Sequence, residues 1–253
     1  MSHYQIEANN ITFIYPDGHQ ALKDISFTLS QRESIGIIGA NGAGKSTLLL
    51  LLLGILFPNE GTISVGGLPV TKKTLPHIRE KIGLAFQNPD DQLFMTTVYD
   101  DVAFGPRNYK LNEDEVEKRV VQALEIVGIL HLKTRAPYKL SGGEKRAAAI
   151  ASVLSMHPDI LILDEPTNAL DPKSRRRLIN LLSTFNHPKI IATHDLDMLF
   201  NLCERTIILK DGQIMADGLT TDLLADETLM TLCNLEVPLS IQNCSTCTYK
   251  HML

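Results

Sequence analysis

Gly39-Ala40-Asn41-Gly42-Ala43-Gly44-Lys45-Ser46-Thr47 is the stretch that decides the fold of this chain. It matches the phosphate-binding loop pattern G-x-x-x-x-G-K-[ST]. The apolar run 34–38 before it predicts a buried strand, and the leucine-rich run 48–53 after it predicts a helix. A strand, a glycine loop and a helix in this order form an anion site, because backbone N–H groups turn inward and the helix N-terminus carries partial positive charge.

The side chains of this loop predict a nucleotide with a metal ion. Lys45 is placed to reach the terminal phosphates, and the Ser46 hydroxyl is placed to ligate Mg²⁺. The alternative is a glycine turn that precedes a Lys-Ser pair by chance. The predicted nucleotide contacts are Gly39, Asn41, Gly42, Ala43, Gly44, Lys45, Ser46 and Thr47.

Composition and charge exclude several other classes of protein. The 253 residues, 44% hydrophobic and 21% charged, are typical of a globular chain of one large domain or two small ones. A net charge of −5 argues against a nucleic-acid partner. The longest apolar run, 48–57, is too short to span a bilayer, and the polar residues 1–10 do not form a signal peptide. We therefore expect a soluble protein, or one held at a membrane by its partners, with reduced cysteines.

The order of apolar runs predicts an α/β fold with a mainly parallel sheet core. Strands at 6–15 and 21–29 around a Pro-Asp-Gly turn predict an antiparallel layer at the N-terminus. Residues 88–157 are mostly helical in pattern and predict an inserted helical subdomain, within a single domain of 1–240 followed by a tail of 241–253. Further strands are predicted at 35–38, near 63, and at 82–86, 160–163 and 190–193. Helices are predicted to begin at Lys45, Asn112, Ser141, Pro172 and Asp195, and a hairpin is predicted at Asp211-Gly212.

A second motif is the apolar strand 160–163, which ends in Asp164-Glu165-Pro166. Asp164 at the strand tip can hold the Mg²⁺ shell beside Ser46, and Glu165 can polarise an attacking water as a general base. Taken alone, such an acidic pair is equally compatible with a core strand that ends in a polar turn.

A third motif is Leu140-Ser141-Gly142-Gly143-Glu144. Ser141, Gly142 and Gly143 place small donors and open backbone N–H groups at a helix start, which is another anion site by the same physics. Alone, this segment would be a plain helix cap.

Together these segments resemble the nucleotide-binding subunits of ABC transporters over almost the whole chain, which implies the ABC type of P-loop NTPase fold. The resemblance implies that Gln87 touches Mg²⁺ or the water and senses the membrane partner. It implies that 168–171, ending in Asp171, is the D-loop, and that His194 lies close to the γ-phosphate. Tyr15 occupies the place where the family stacks an aromatic ring on adenine, although a merely packed ring is the alternative.

The resemblance also implies an assembly. In this family two subunits pair head to tail, and ATP lies between the phosphate loop of one and the Leu-Ser-Gly-Gly-Glu segment of the other. One chain carries one of each, so the expected unit is a dimer of this chain with itself or with a paralogue. The implied chemistry is in-line attack of water on the γ-phosphorus, with Lys45, Mg²⁺ and His194 offsetting the developing charge.

Residues 86–94 and 98–106 closely resemble the energy-coupling-factor importers. Such importers take up vitamins or transition-metal ions through a transmembrane scaffold and an integral substrate-binding protein. In the family this region lies near the groove for the scaffold's helices, although an acidic, solvated helical face is the alternative. Residues 155–159, 171–178 and 234–240 resemble the cobalt/nickel branch. The resemblance implies a peripheral protein on the cytoplasmic face of the cell membrane.

Three competing functions remain open at this point. A conventional ABC importer is disfavoured by the residues after Gln87, and a vitamin importer remains an alternative cargo class. A soluble ABC ATPase of the repair or chromosome type is disfavoured because Gln87 and Ser141 are only 54 positions apart, which leaves no room for long coiled coils.

The end of the chain contains a possible metal site. Cys244, Cys247 and His251 offer two thiolates and an imidazole, with Cys233 or a second subunit as a further ligand. A polar tail with ordinary thiols is the alternative.

Overall fold

The computed structural model describes residues 4–242, which form two sheets and the helices around them. The strands are β1 (Tyr4–Ile14), β2 (Gln20–Ser30), β3 (Ser34–Ile38), β4 (Glu60–Val65), β5 (Leu68–Pro69), β6 (Ile82–Ala85), β7 (Ile160–Asp164), β8 (Lys189–Ala192), β9 (Arg205–Lys210) and β10 (Gln213–Leu219). The helices are α1 (Lys45–Leu52), α2 (Leu75–Lys81), α3 (Val98–Asn108), α4 (Glu113–Ile126), α5 (Gly142–Leu154), α6 (Pro172–Ser183), α7 (Leu196–Leu202), α8 (Thr220–Ala225) and α9 (Glu227–Leu232).

The larger sheet has six strands in the order β10-β9-β3-β8-β7-β6. All neighbours pair in parallel except β10, which pairs antiparallel with β9 through the hairpin predicted at Asp211-Gly212. The smaller sheet, β2-β1-β4-β5, is antiparallel throughout. The predicted α/β class, with a mainly parallel core and an N-terminal antiparallel layer, is confirmed.

Apolar side chains form three clusters that set the layers. The first joins the antiparallel sheet and α1 to one face of the parallel sheet. The second covers the opposite face with α5 to α9. The third lies within α3, α4 and α5. Helix α5 contributes to both the second and the third cluster, because Ile150 faces the sheet while Ala148 and Ala151 face the other helices. The helix that follows the Leu-Ser-Gly-Gly-Glu segment therefore connects the helical layer to the sheet.

Helix starts follow the local capping signals in the sequence. Asn112 accepts from the Glu115 N–H at 2.9 Å, as predicted for α4. Ser141 and Glu144 form a reciprocal capping box at the start of α5. The sequence analysis did not predict α2, α8 and α9, because helices of six or seven residues show too little of the 3.6-residue period.

Among the described residues, no helix has both the length and the apolar character needed to cross a bilayer.

Candidate nucleotide site

The phosphate loop lies between the carboxyl end of β3 and the first turn of α1. Gly44 has φ of 102° and a left-handed backbone. A β-carbon at this position would lie 2.7 Å from Leu22 Cδ2 and 2.8 Å from the Ala21 carbonyl oxygen, so only glycine fits. No side chain caps α1, and its first turn carries no acidic residue. The start of α1 therefore keeps its partial positive charge, and phosphate binding there stays a prediction.

A cavity of about 230 Å³ opens above this loop. Parallel strands end at the same edge of a sheet, and this brings the tips of β6 and β7 beside the loop that follows β3. The cavity is lined by Tyr15, His19, Ala21, residues 41–47, Gln87, Asp164 and Glu165. The structure therefore brings the phosphate loop, Gln87 and the Asp164-Glu165 pair together in one cavity.

Lys45 lies at the floor of the cavity. Its ammonium donates to the carbonyl oxygens of Gly39 at 2.7 Å and Ala40 at 3.3 Å. Burial lowers the pKa of Lys45, while the carboxylates of Glu165 and Asp164 act in the opposite direction. Lys45 is therefore a cation that its own loop holds at the position predicted for the terminal phosphates.

Asp164 and Ser46 fit a magnesium ion. The Ser46 hydroxyl hydrogen-bonds the Asp164 side chain, and Asp164 Oδ1 is buried without a hydrogen-bond partner. Burial raises the pKa of Asp164, and the Ser46 hydrogen bond opposes this shift. A buried carboxylate oxygen without a donor, beside a hydroxyl, is a set of hard oxygen ligands that suits Mg²⁺. Gln87 lines the same cavity and offers an amide oxygen.

Glu165 is held firmly at the tip of β7. Its backbone has φ of 45°, and its N–H donates to the Ala192 carbonyl oxygen at 2.8 Å. The buried carboxylate oxygen Oε2 accepts from Thr193 Oγ1 at 2.9 Å and from the His194 N–H at 3.2 Å. His194 Nδ1 lies 2.8 Å from the same oxygen, and the imidazole is largely exposed. The loop 193–195 and Glu165 therefore form one hydrogen-bonded unit.

Ser141, Gly142 and Gly143 lie outside the nucleotide cavity. Gly142 lines a second cleft of about 410 Å³, together with residues 168–170 and Gln87. A β-carbon on Gly143 would lie 2.6 Å from Ser174 Oγ, so the glycine segment packs directly against α6. Asp171 caps α6 by accepting from the N–H groups of residues 173 and 174. Within one chain, the Leu-Ser-Gly-Gly-Glu segment is thus a neighbour of the 168–171 loop and not of the phosphate loop.

Tyr15 stands at the rim of the cavity. Its hydroxyl lies 3.0 Å from Thr47 Oγ1, and its ring meets Phe13 edge to face at 4.9 Å. These contacts attach the ring to the phosphate loop, and its stacking on adenine stays a prediction.

Two residues that the sequence analysis missed connect α5 to the site. The Arg146 guanidinium is buried and donates to the carbonyl oxygens of Phe86 and Gln87, with a longer contact of 3.4 Å to that of Glu165. Gln92 accepts from the Phe86 N–H at 3.1 Å and donates to the Ala149 carbonyl oxygen at 2.8 Å. The sequence did hold one signal for Arg146, because a single arginine in an alanine-rich helix indicates a charge with a specific partner.

Cys244, Cys247 and His251 lie outside the described residues, so the tail's metal site stays a prediction. Cys203 and Cys233 are free and buried. No group of three or more His, Cys, Asp or Glu side chains suited to a metal ion occurs within 4–242.

Comparisons with known proteins agree with this geometry. Residues 22–168 match the family model described as ABC transporter. An energy-coupling factor transporter ATP-binding protein, EcfA of Methanothermobacter thermautotrophicus, is 44% identical over 92% of this chain and 76% of its own length.

Two solved structures share the fold at high coverage. CbiO1 of Clostridium perfringens, part of the ABC transporter complex cbiONQ, has a TM-score of 0.82 and 40% identity over 92% of this chain and 95% of its own. The ATP-binding cassette MJ0796, a dimer with ADP and Pi in a post-hydrolysis state, has a TM-score of 0.78 and 28% identity over 85% of this chain and 98% of its own. The chain therefore belongs to the ATP-hydrolysing ATP-binding subunits of ABC transporters, of the energy-coupling-factor type.

Proposed function

We propose that this ATPase drives an energy-coupling-factor importer for cobalt or nickel ions, as a head-to-tail dimer on the cytoplasmic face of the cell membrane. The observation that carries the ATPase chemistry is the convergence of Lys45, Asp164 and Glu165 on one cavity. The cargo rests on the resemblance of residues 155–159, 171–178 and 234–240 to the cobalt/nickel branch. The 40% identity to CbiO1, part of a transporter complex, supports a partnership with membrane subunits.

In the proposed mechanism Glu165 accepts a proton from a water that attacks the γ-phosphorus of ATP in line. The P–O bond to the β-phosphate bridge breaks, and ADP leaves with inorganic phosphate as the second product. Lys45 binds the terminal phosphates, while His194, held on Glu165 at 2.8 Å, faces the γ-phosphate. Ser46, Asp164 and Gln87 would hold a Mg²⁺ ion, which would supply charge stabilisation to the phosphate oxygens.

The proposed dimer follows from the separation of the two anion sites. The phosphate loop lines the first cavity and Gly142 lines a different cleft of the same chain, and Gln87 borders both. A second copy or a paralogue, placed head to tail, would bring its Ser141–Gly143 segment onto this cavity. We propose a single ATPase domain of 1–240, with a helical subdomain of about 88–157, as the repeating unit.

The proposed membrane contact is an aromatic patch next to the Gln87 loop, made of Phe94 and Phe104. Their rings meet edge to face at 5.0 Å, and both side chains are exposed, Phe94 by 64%. Asp90 on the same segment pairs with Lys145 of α5 at 2.6 Å. A scaffold helix bound to this patch would move a segment in which Gln92 bonds the Phe86 N–H, and Arg146 of α5 bonds the carbonyl oxygen of Gln87, a residue that lines the nucleotide cavity.

The catalytic assignment is tested with Glu165→Gln and Lys45→Ala. We expect Glu165→Gln to retain ATP affinity, lose turnover and accumulate an ATP-bound dimer, because the amide cannot accept the water's proton. Lys45→Ala should lose affinity itself. Fluorescent-nucleotide titration, phosphate release and light scattering measure the three quantities. Wild-type turnover by Glu165→Gln would show the general-base assignment to be wrong.

The assembly is tested by isolating tagged Glu165→Gln from detergent-solubilised membranes of its native host with ATP. We expect a transmembrane scaffold and an integral substrate-binding protein to co-purify, identified by mass spectrometry. Recovery with two ordinary permease subunits, or with soluble proteins alone, would contradict the energy-coupling assignment and leave the ATPase assignment intact.

The cargo is tested by uptake into cells that lack this chain. Wild-type chain, but not Glu165→Gln, should restore accumulation of radioactive cobalt or nickel. Restoration of vitamin uptake with no effect on either metal would contradict the metal assignment.

A further inference from the structure

Asp195 is the hub of a hydrogen-bond network that the mechanism above does not use. Its carboxylate accepts two bonds of 2.6 Å from Arg175, one from Nε and one from Nη2. It also accepts from Thr167 Oγ1 at 2.9 Å and from the Met198 N–H at 3.0 Å. The side chains of Arg175 and Asp195 are 29% and 15% exposed, so this bidentate pair is shielded from water. Such pairs combine strength with fixed geometry.

The backbone of Asp195 leads directly to the proposed general base. Its N–H donates to Thr193 Oγ1 at 3.0 Å, and Thr193 Oγ1 lies 2.9 Å from Glu165 Oε2. Because the hydroxyl accepts from that N–H, its one proton is directed at Glu165. Thr193 is fully buried, so no water competes for this bond.

The helix turn that carries Arg175 also contacts the Leu-Ser-Gly-Gly-Glu segment. Ser174, next to Arg175 in the first turn of α6, donates to Asp171 Oδ2 at 2.6 Å. Its Oγ atom also lies against Gly143, where a β-carbon would come within 2.6 Å. The first turn of α6 thus contacts the glycine segment through Ser174 and the loop 193–195 through Arg175.

We propose that Arg175 and Asp195 form a positioning pair, which holds the loop 193–195 against Glu165 and ties that carboxylate to the helix packed on Gly143. The inference rests on the proposed roles of Glu165 and of the Ser141–Gly143 segment. Neither Arg175 nor Asp195 lines the nucleotide cavity, so the pair acts through Thr193 and not by touching ATP. Its loss should therefore reduce turnover and leave nucleotide binding unchanged.

The experiment compares Arg175→Met, Asp195→Asn and the double variant with wild type. A displaced catalytic group costs up to about 100-fold in rate, so we expect each single variant to lose about 10- to 100-fold in kcat, with KM for ATP unchanged. The double variant should lose no more than the worse single variant, because the pair is broken only once. Arg176→Met is the matched control: Arg176 is the next residue of α6, and its side chain is exposed.

Further measurements distinguish a loss of positioning from a loss of folding. Nucleotide affinity and thermal unfolding of every variant show whether it is folded at the assay temperature. Arg175→Lys retains the charge but not the two-pronged geometry, so it should recover only part of the lost kcat.

Wild-type kcat in Arg175→Met, equal losses in Arg176→Met, or multiplicative losses in the double variant would overturn the positioning pair. Glu165→Gln, assayed beside them, separates the two proposals. If Glu165→Gln turns over normally, the proposed mechanism fails. If it is inactive while Arg175→Met is normal, only the positioning pair fails.

Discussion

Thr193→Val tests the hydrogen bonds around Glu165 at a single buried atom. Valine has nearly the shape of threonine, so the change removes the hydroxyl with little change in packing. The hydroxyl donates to Glu165 Oε2 at 2.9 Å and accepts from the Asp195 N–H at 3.0 Å. Thr193 is fully buried and Glu165 is 7% exposed, so water does not replace either partner.

The expected cost follows from these two bonds. A hydrogen bond to a charged group contributes about 1.5–3 kcal/mol, and an unsatisfied buried N–H costs about 1–3 kcal/mol. Together they predict that Thr193→Val lowers the free energy of unfolding by about 2.5–6 kcal/mol. At about 3 °C per kcal/mol for a chain of this size, the melting temperature should fall by roughly 10 °C.

Thr193→Ser is the matched control, because it keeps the hydroxyl and removes only a methyl group. It should cost about 1 kcal/mol. Both variants are unfolded with urea without nucleotide, since a bound ligand would add its own stabilisation. If Thr193→Val were as stable as Thr193→Ser, the two hydrogen bonds of the hydroxyl would not stabilise the loop around Glu165.

Three further predictions follow from other buried groups. Lys45→Ala should weaken ATP binding by at least about tenfold in a fluorescent-nucleotide titration, because the ammonium is the cation fixed at the loop; unchanged affinity would contradict this role. Burial raises the pKa of Asp195, but hydrogen bonds led by those of Arg175 outweigh it and the net pKa is lowered. The stabilisation that the Asp195 carboxylate contributes is therefore present above its unfolded-state pKa and lost as pH falls below about 4. The free energy of unfolding of Asp195→Asn, measured with urea, should therefore fall less steeply below that pH than that of wild type; an equally steep fall would refute this. Burial raises the pKa of the Cys203 thiol to about 12 and also raises that of Cys233. Iodoacetamide at about pH 8 should modify both only after unfolding, and peptide mass spectrometry would reveal any native labelling that contradicts this.

The local elements of this chain could be predicted because their causes lie within a few residues. The phosphate loop needs only a strand, glycines and a helix start, all between residues 34 and 53. Asn112, Ser141 and Asp171 cap helices by bonds to N–H groups two or three positions ahead. The order of these elements then predicts the parallel sheet, since a strand, a helix and a parallel strand follow one another along the chain.

The partners of the buried polar groups could not be predicted in this way. Arg175, Arg176 and Arg177 are equivalent by residue type, and only the packing of α6 against α7 selects Arg175 for Asp195. Helical spacing gave a partial signal, because Leu178 and Ile179 lie three and four positions after Arg175 on the buried face. Arg146 and Gln92 likewise have partners more than fifty positions away, Arg146 in the loop after β6 and Gln92 in α5.

The sequence alone thus determined the candidate groups for binding phosphate, ligating Mg²⁺ and accepting a proton, because residue type and local order along the chain set that chemistry. Only the tertiary structure decided that Thr193 orients Glu165, that Ser174 packs on Gly143, and that the Ser141–Gly143 segment lies apart from the phosphate loop. These relations join residues distant in the chain. They depend on how sheet and helices pack, and no short stretch of sequence encodes that packing.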